Sequence, residues 1–189
     1  MNLHALPLTR FWELPELTAL NRPPAPAYSF PFPDADKADP LHPAKSRWVQ
    51  SLDGDWCFDY FERPEAVPAD LLSTPPATPP NIRVPGNWTL QGWDKPHYTN
   101  IQMPFENRPP QVPDANPTGV YRRMISPPKS WQQRRTLLHI GGAESQVLVY
   151  LDGRFVGMST DSRLPAEFDL TPFLTDGPQL LTLVVIRYS

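Results

Sequence analysis

Asp161, Glu167 and Asp169 form the only dense carboxylate group near an ordered-looking stretch of this 189-residue sequence. Paired carboxyls can divide acid and base roles between them, and Glu167 and Asp169, two apart, would share one face of a strand as near neighbours. Yet Glu167-Phe168-Asp169-Leu170 alternates as a half-buried strand does, and Asp169 stands just before Thr171-Pro172, where a carboxylate commonly bonds a turn amide. The residues by themselves therefore favour a solvated strand edge over an acid–base pair. Asp161 lies in the polar run Ser159-Thr160-Asp161-Ser162-Arg163, whose plain reading is an Asp-Ser turn paired with Arg163. Ser145 and Ser162 lack a His partner at any recognisable motif, so a hydrolase triad is unsupported. His97 and His139 show no metal-ligand spacing. Cys57 is the single cysteine, which leaves no internal disulfide and no zinc cluster.

The elements that must position these groups are strands. Asp152-Gly153 separates the apolar runs 146–151 and 154–158, and a D-G pair in that setting signals a hairpin through a type I′ turn. Pro165 ends the polar run, residues 167–170 resume as a strand, and Thr171-Pro172 predicts an N-cap and N1 for a short helical turn. Runs 120–125, 135–140 and 179–188 also read as strands, with Gly141-Gly142 and Asp176-Gly177 as separators. Residues 180–186 are apolar on both faces, which predicts a central, covered strand. Upstream, Trp56, Phe58 and Tyr60 alternate after the Asp53-Gly54 turn, residues 82–84 form a short strand, and 62–80 and 103–118 are Pro-rich loops. Many short strands with turn signals predict an all-β sandwich with little helix.

Composition narrows the function classes. The chain carries 27 prolines, and only Pro165, Pro172 and Pro178 lie beyond residue 128, so the first two thirds must be extended and turn-rich. Aromatics make up 11% of residues, too many for a disordered chain. A net charge of −3 points to neither nucleic acid nor an anionic membrane surface as a partner. No apolar run approaches the roughly 20 residues of a membrane span. The N-terminus lacks a charged-then-apolar signal layout, and a lone thiol suits a reducing compartment, so a soluble, cytoplasmic protein is expected.

Several stretches occur in an order that resembles one family. They are Arg47-Trp48 to Asp59, Val84-Pro85-Gly86-Asn87-Trp88, Tyr98-Thr99-Asn100, Asn116-Pro117-Thr118-Gly119-Val120-Tyr121, and the run from Tyr150 through Asp161-Ser162-Arg163-Leu164-Pro165 to Leu174. Together they resemble the N-terminal sugar-binding domain of glycoside hydrolase family 2, the large bacterial β-galactosidase type. Trp12 to Leu17 with Leu20-Asn21-Arg22 is similar to the leader of that family. The resemblance implies a jelly-roll, galactose-binding-domain-like β-sandwich over residues 46–189, preceded by an extended Pro-rich leader and linker over 1–45. It also implies the absence, after Ser189, of the family's Ig-like domain and its barrel.

Glycoside hydrolysis with retention needs two carboxyls about 5–5.5 Å apart. In the family these are two glutamates of the barrel, and no residue here matches them. The expectation is therefore a parent β-galactosidase that hydrolyses terminal β-D-galactosides such as lactose, with these 189 residues inactive alone and no catalytic residue among them. The resemblance assigns Asn100 and Asp161 to substrate binding and makes Asp161 a half-site for Na⁺, one that would not hold the ion tightly by itself. An amide donates and accepts between adjacent hydroxyls, and a carboxylate offers hard oxygen to a hydroxyl or a hard cation. The leader's Mg²⁺ site is in doubt, because Phe11 and Leu14 stand where an acidic residue and an Asn occur in the family. Further implied partners are the galactoside, the rest of the β-galactosidase chain and a tetramer of copies. Trp88, Trp93 and Tyr98 suit stacking on a sugar or, more commonly, loop packing. Arg122-Arg123 and Arg134-Arg135 read as solvated strand edges. The alternatives are a free-standing carbohydrate-binding module, or a structural domain of a related hydrolase such as a β-glucuronidase.

Overall fold

The computed structural model describes residues 10–25, 27, 29–39, 41–96, 106 and 108–189. Nine strands are described: β1 (Ala19–Leu20), β2 (Gly54–Phe61), β3 (Ile82–Val84), β4 (Thr118–Ile125), β5 (Leu137–Ile140), β6 (Gln146–Leu151), β7 (Arg154–Ser159), β8 (Ala166–Asp169) and β9 (Gln179–Ile186). The remaining regular pieces are 3₁₀ turns, with no α-helix among the described residues. Seven strands form one antiparallel sheet in the order β1-β7-β6-β9-β4-β2-β3, and β5 pairs with β8 in a second. The molecule is thus the all-β sandwich that the strand and turn pattern predicts.

Side-chain alternation explains the layering. Along β6, Val147, Val149 and Leu151 point into a core shared with Leu138, Ala166 and Phe168 of the small sheet. Leu148 and Tyr150 point the other way, into a second core with Phe11, Trp12, Val67 and Leu72. The seven-stranded sheet is therefore covered on both faces, and β9 is buried along nearly its whole length. β9 lies between β6 and β4, the central position that its sequence predicts.

The hairpin joining β6 to β7 forms at Asp152 (φ 49°) and Gly153 (φ 75°), both in the left-handed region that a type I′ turn demands. Asp152 also serves as an anchor: its Oδ2 accepts from Gln179 Nε2 at 2.6 Å and its Oδ1 from Leu180 N at 2.8 Å.

The leader docks rather than trails. Phe11 and Trp12 are buried under the large sheet, and β1 pairs with β7 in the register Ala19↔Ser159, Leu20↔Met158. The linker that follows contributes Phe30, edge-on to His139 at 5.7 Å, and Pro31, whose carbonyl accepts from Ser46 Oγ at 2.5 Å.

Two local expectations change. Thr171 lies inside the 3₁₀ turn Thr171–Phe173 instead of capping it, with Leu170 ahead of the turn. Its hydroxyl is occupied elsewhere, accepting from Thr136 N at 2.9 Å. Arg122 is no solvated edge residue. It is 5% exposed, and its guanidinium donates to Asp59 Oδ2 and to the Thr74 carbonyl, each at 2.8 Å. The basic pair was legible in the sequence, whereas the acidic partner 63 residues earlier was not.

Candidate functional site

One end of the sandwich brings several loop stems together. β9 ends there at Ile186, paired with Gln146 at the start of β6 and Thr118 at the start of β4. β7 ends beside them, with Ser159 opposite Val147. The loop that leaves β7 carries Asp161. Its stem is tied twice: Thr160 N donates to Thr18 O at 2.9 Å, and Gln146 Nε2 donates to Thr160 Oγ1 at 2.8 Å.

Asp161 is half-buried. Its Oδ1 accepts from the backbone of Arg163 at 3.1 Å and of Leu164 at 3.2 Å, an Asx turn that fixes the carboxylate on its own loop. The other oxygen, Oδ2, has no hydrogen-bond donor among the described residues. The Arg163 guanidinium reaches Glu144 Oε1 at 3.4 Å rather than Asp161. The arrangement presents one carboxylate oxygen, held from behind, to whatever lies over the rim.

Asn100, with Tyr98 and His97, lies outside the described residues. The described chain before and after it is pinned at this same end. Arg187 donates to the Asp94 carboxylate and to the Lys95 carbonyl, the latter at 3.1 Å. Burial first, and the Asp94 charge next, push the Tyr60 hydroxyl above its ordinary pKa. Farther along, wholly buried Asn116 clasps the Tyr188 backbone through its N–H and C=O, both at 2.9 Å.

The other carboxylates are engaged. Asp169 Oδ1 accepts from Thr171 N at 3.0 Å and Oδ2 from Arg135 Nε at 2.8 Å. Burial pushes its pKa up, but the bonds from Thr171 and Arg135 outweigh that and hold the group below its usual value. Glu167 pairs across the small sheet with His139 at 3.2 Å, a partnership that the sequence reading missed because only strand register brings them opposite. Asp169 bonds a turn amide as expected, whereas Glu167 is largely buried against His139 rather than solvated. Trp88 is buried against Phe58, and Trp93 meets Phe58 edge-on at 5.2 Å, so both pack the core.

The donor sets differ in what they fit. Asp161 Oδ2 gives one hard oxygen toward Na⁺, but no group of three or more His, Cys, Asp or Glu side chains converges among the described residues. At the leader, Phe11 is buried in an apolar core and Leu14 offers no donor. The neighbouring Glu13 carboxylate is occupied by Val112 N at 3.0 Å and Arg10 at 3.3 Å. Those residues do not fit Mg²⁺. Among the described residues, no helix is long and apolar enough to cross a membrane.

An all-β sandwich that carries a braced carboxylate on its rim is a scaffold with one candidate contact for a ligand. Residues 49–189 match the sugar binding domain of glycosyl hydrolases family 2, and the chain belongs to that family. The β-galactosidase of Erwinia tasmaniensis is 40% identical over 191 residues, covering 100% of this chain and 18% of its own. That of Yersinia pestis bv. Antiqua is 41% identical over 181 residues, covering 95% of this chain and 17% of its own. The chain thus spans less than a fifth of these relatives. Among solved structures, Bifidobacterium dentium β-glucuronidase complexed with coumarin-3-O-glucuronide superposes with a TM-score of 0.54 at 28% identity, covering 71% of this chain and 19% of that one. Ruminococcus gnavus β-glucuronidase shares the fold, with a TM-score of 0.54 at 16% identity over 73% of this chain and 20% of that one.

Proposed function

We propose that this chain is the sugar-binding part of a β-galactosidase, and that Asp161 contacts the substrate. The observation that carries this reading is the end-to-end identity of 40% with a β-galactosidase, combined with a rim carboxylate whose Oδ1 is braced and whose Oδ2 is left unbonded among the described residues. An anionic oxygen so placed accepts a hydrogen bond from a sugar hydroxyl without first having to be ordered. Binding contacts away from the scissile bond raise the rate by orienting the substrate. Asn100 is the proposed second contact, donating and accepting between hydroxyls. The acid and nucleophile, about 5–5.5 Å apart in a retaining enzyme, come from polypeptide other than these 189 residues. As a hard oxygen, Asp161 would also help to hold Na⁺ when the remaining ligands are present.

The test is a substrate profile of the full-length polypeptide as its gene encodes it, alongside the 189-residue chain. Full-length protein should hydrolyse a nitrophenyl β-galactoside far faster than the matching β-glucuronide, and the 189-residue chain should hydrolyse neither. Preference for the glucuronide would replace the reading with that of the solved structural neighbours. Saturable galactose binding and no hydrolysis at full length would replace it with a binding module.

A further inference from the structure

Gln146 opens β6 with no exposed surface. Its neighbours Val147, Leu148 and Val149 are apolar and equally buried. The amide Oε1 accepts no hydrogen bond among the described residues. A buried, half-satisfied amide carries a desolvation cost that an apolar side chain at the same place would not. What it provides in return is the bond to Thr160 Oγ1 at 2.8 Å.

Thr160 directly precedes Asp161. The bonds from Arg163 N and Leu164 N hold the carboxylate relative to its own loop, not the loop relative to the sheet. That second task falls to the stem. Thr160 N is tied to the leader at Thr18 O, and its hydroxyl is tied to Gln146. Farther out, the Arg163–Glu144 pair is 3.4 Å long between side chains 81% and 64% exposed, too solvated to fix a position.

We propose that Gln146, acting through Thr160, is a positioning residue that sets the height of Asp161 over the rim. This rests on the reading of Asp161 as a sugar contact. In the full-length polypeptide, Gln146→Leu and Thr160→Val each remove the bond, the second with almost no change of shape. Each should lower kcat/KM for a nitrophenyl β-galactoside roughly three- to ten-fold, the worth of one neutral hydrogen bond. Thr160→Ser keeps the hydroxyl and should keep the activity. In an Asp161→Ala background, Gln146→Leu and Thr160→Val should add nothing further. If Gln146→Leu fails to fold, Thr160→Val carries the test.

Two results overturn the inference while sparing the role of Asp161. One is that Asp161→Ala lowers kcat/KM but Thr160→Val does not. The other is that the loss from Thr160→Val persists in full when Asp161 is already gone. If Asp161→Ala itself leaves kcat/KM unchanged, the reading of Asp161 fails and takes the inference with it.

Discussion

Replacing Trp12 by Ala should cost this domain a large part of its stability. Trp12 is 2% exposed and sits in the core beneath the large sheet, edge-on to Phe11 at 5.2 Å. Burying an indole removes about 200 Å² from water, worth about 5 kcal/mol at 25 cal/mol per Å². Against this, Trp12 Nε1 is buried with no acceptor among the described residues, which takes back about 1–3 kcal/mol. The expected loss is therefore about 2–4 kcal/mol, near the low end for Trp→Ala in a core. A domain of ordinary stability holds about 5–15 kcal/mol in total. Urea unfolding of the 189-residue chain, followed by far-UV circular dichroism, should show a lower midpoint at unchanged m. Trp12→Phe should recover most of the difference. A loss below about 1 kcal/mol would mean that the leader does not dock, and the covered face of the sheet would need another explanation.

Two further outcomes follow from local geometry. Gly157→Ala should lower the melting temperature, by an overpacking cost of about 1–3 kcal/mol. A Cβ there would stand 2.8 Å from the Leu20 carbonyl oxygen and 2.7 Å from Phe168 Cδ1, and the backbone oxygen cannot move without unseating β1. An unchanged melting temperature would show that β1 is not seated there. In the linker, the bond from Lys45 Nζ holds the Asp39 carboxyl at about 2, with His42 assisting and partial desolvation opposing. A carboxyl depressed on folding stabilises the fold above its ordinary value near 4 and loses that contribution as pH falls toward 2. Asp39→Asn should remove the pH dependence of the linker's amide protection factors between those values, and an NMR titration placing Asp39 near 4 would refute the bond.

Legibility followed the range of the interactions. The hairpin at Asp152-Gly153 is encoded by two adjacent residues with unusual φ demands, so its position could be read directly. The central place of β9 followed from an apolar run with no polar face to give water. The all-β class followed from turn residues spaced between such runs. What escaped was long-range pairing. β1 is a two-residue strand whose existence depends on β7 lying alongside it, and nothing in Ala19-Leu20 announces that. The pairing of His139 with Glu167 depends on register, and that of Arg122 with Asp59 on a strand pair 63 residues apart in sequence. At the rim, Asp161 and its loop motif stood out, but the brace did not. Gln146 reads as one more strand residue until its burial and its bond to Thr160 are known. Thr171 misled because a hydroxyl before Pro172 suits a cap equally well whether or not another amide claims it.

Asp161 Oδ2 is proposed to receive a hydroxyl of the sugar, the one on C6. A nitrophenyl β-galactoside and its 6-deoxy counterpart differ in that hydroxyl alone. With full-length polypeptide, kcat/KM for the two should differ by roughly ten-fold or more, as a charged hydrogen bond of about 1.5–3 kcal/mol requires. In Asp161→Ala the two substrates should be hydrolysed with nearly equal kcat/KM. If the variant still favours the galactoside by the same factor as the wild type, Asp161 does not read that hydroxyl.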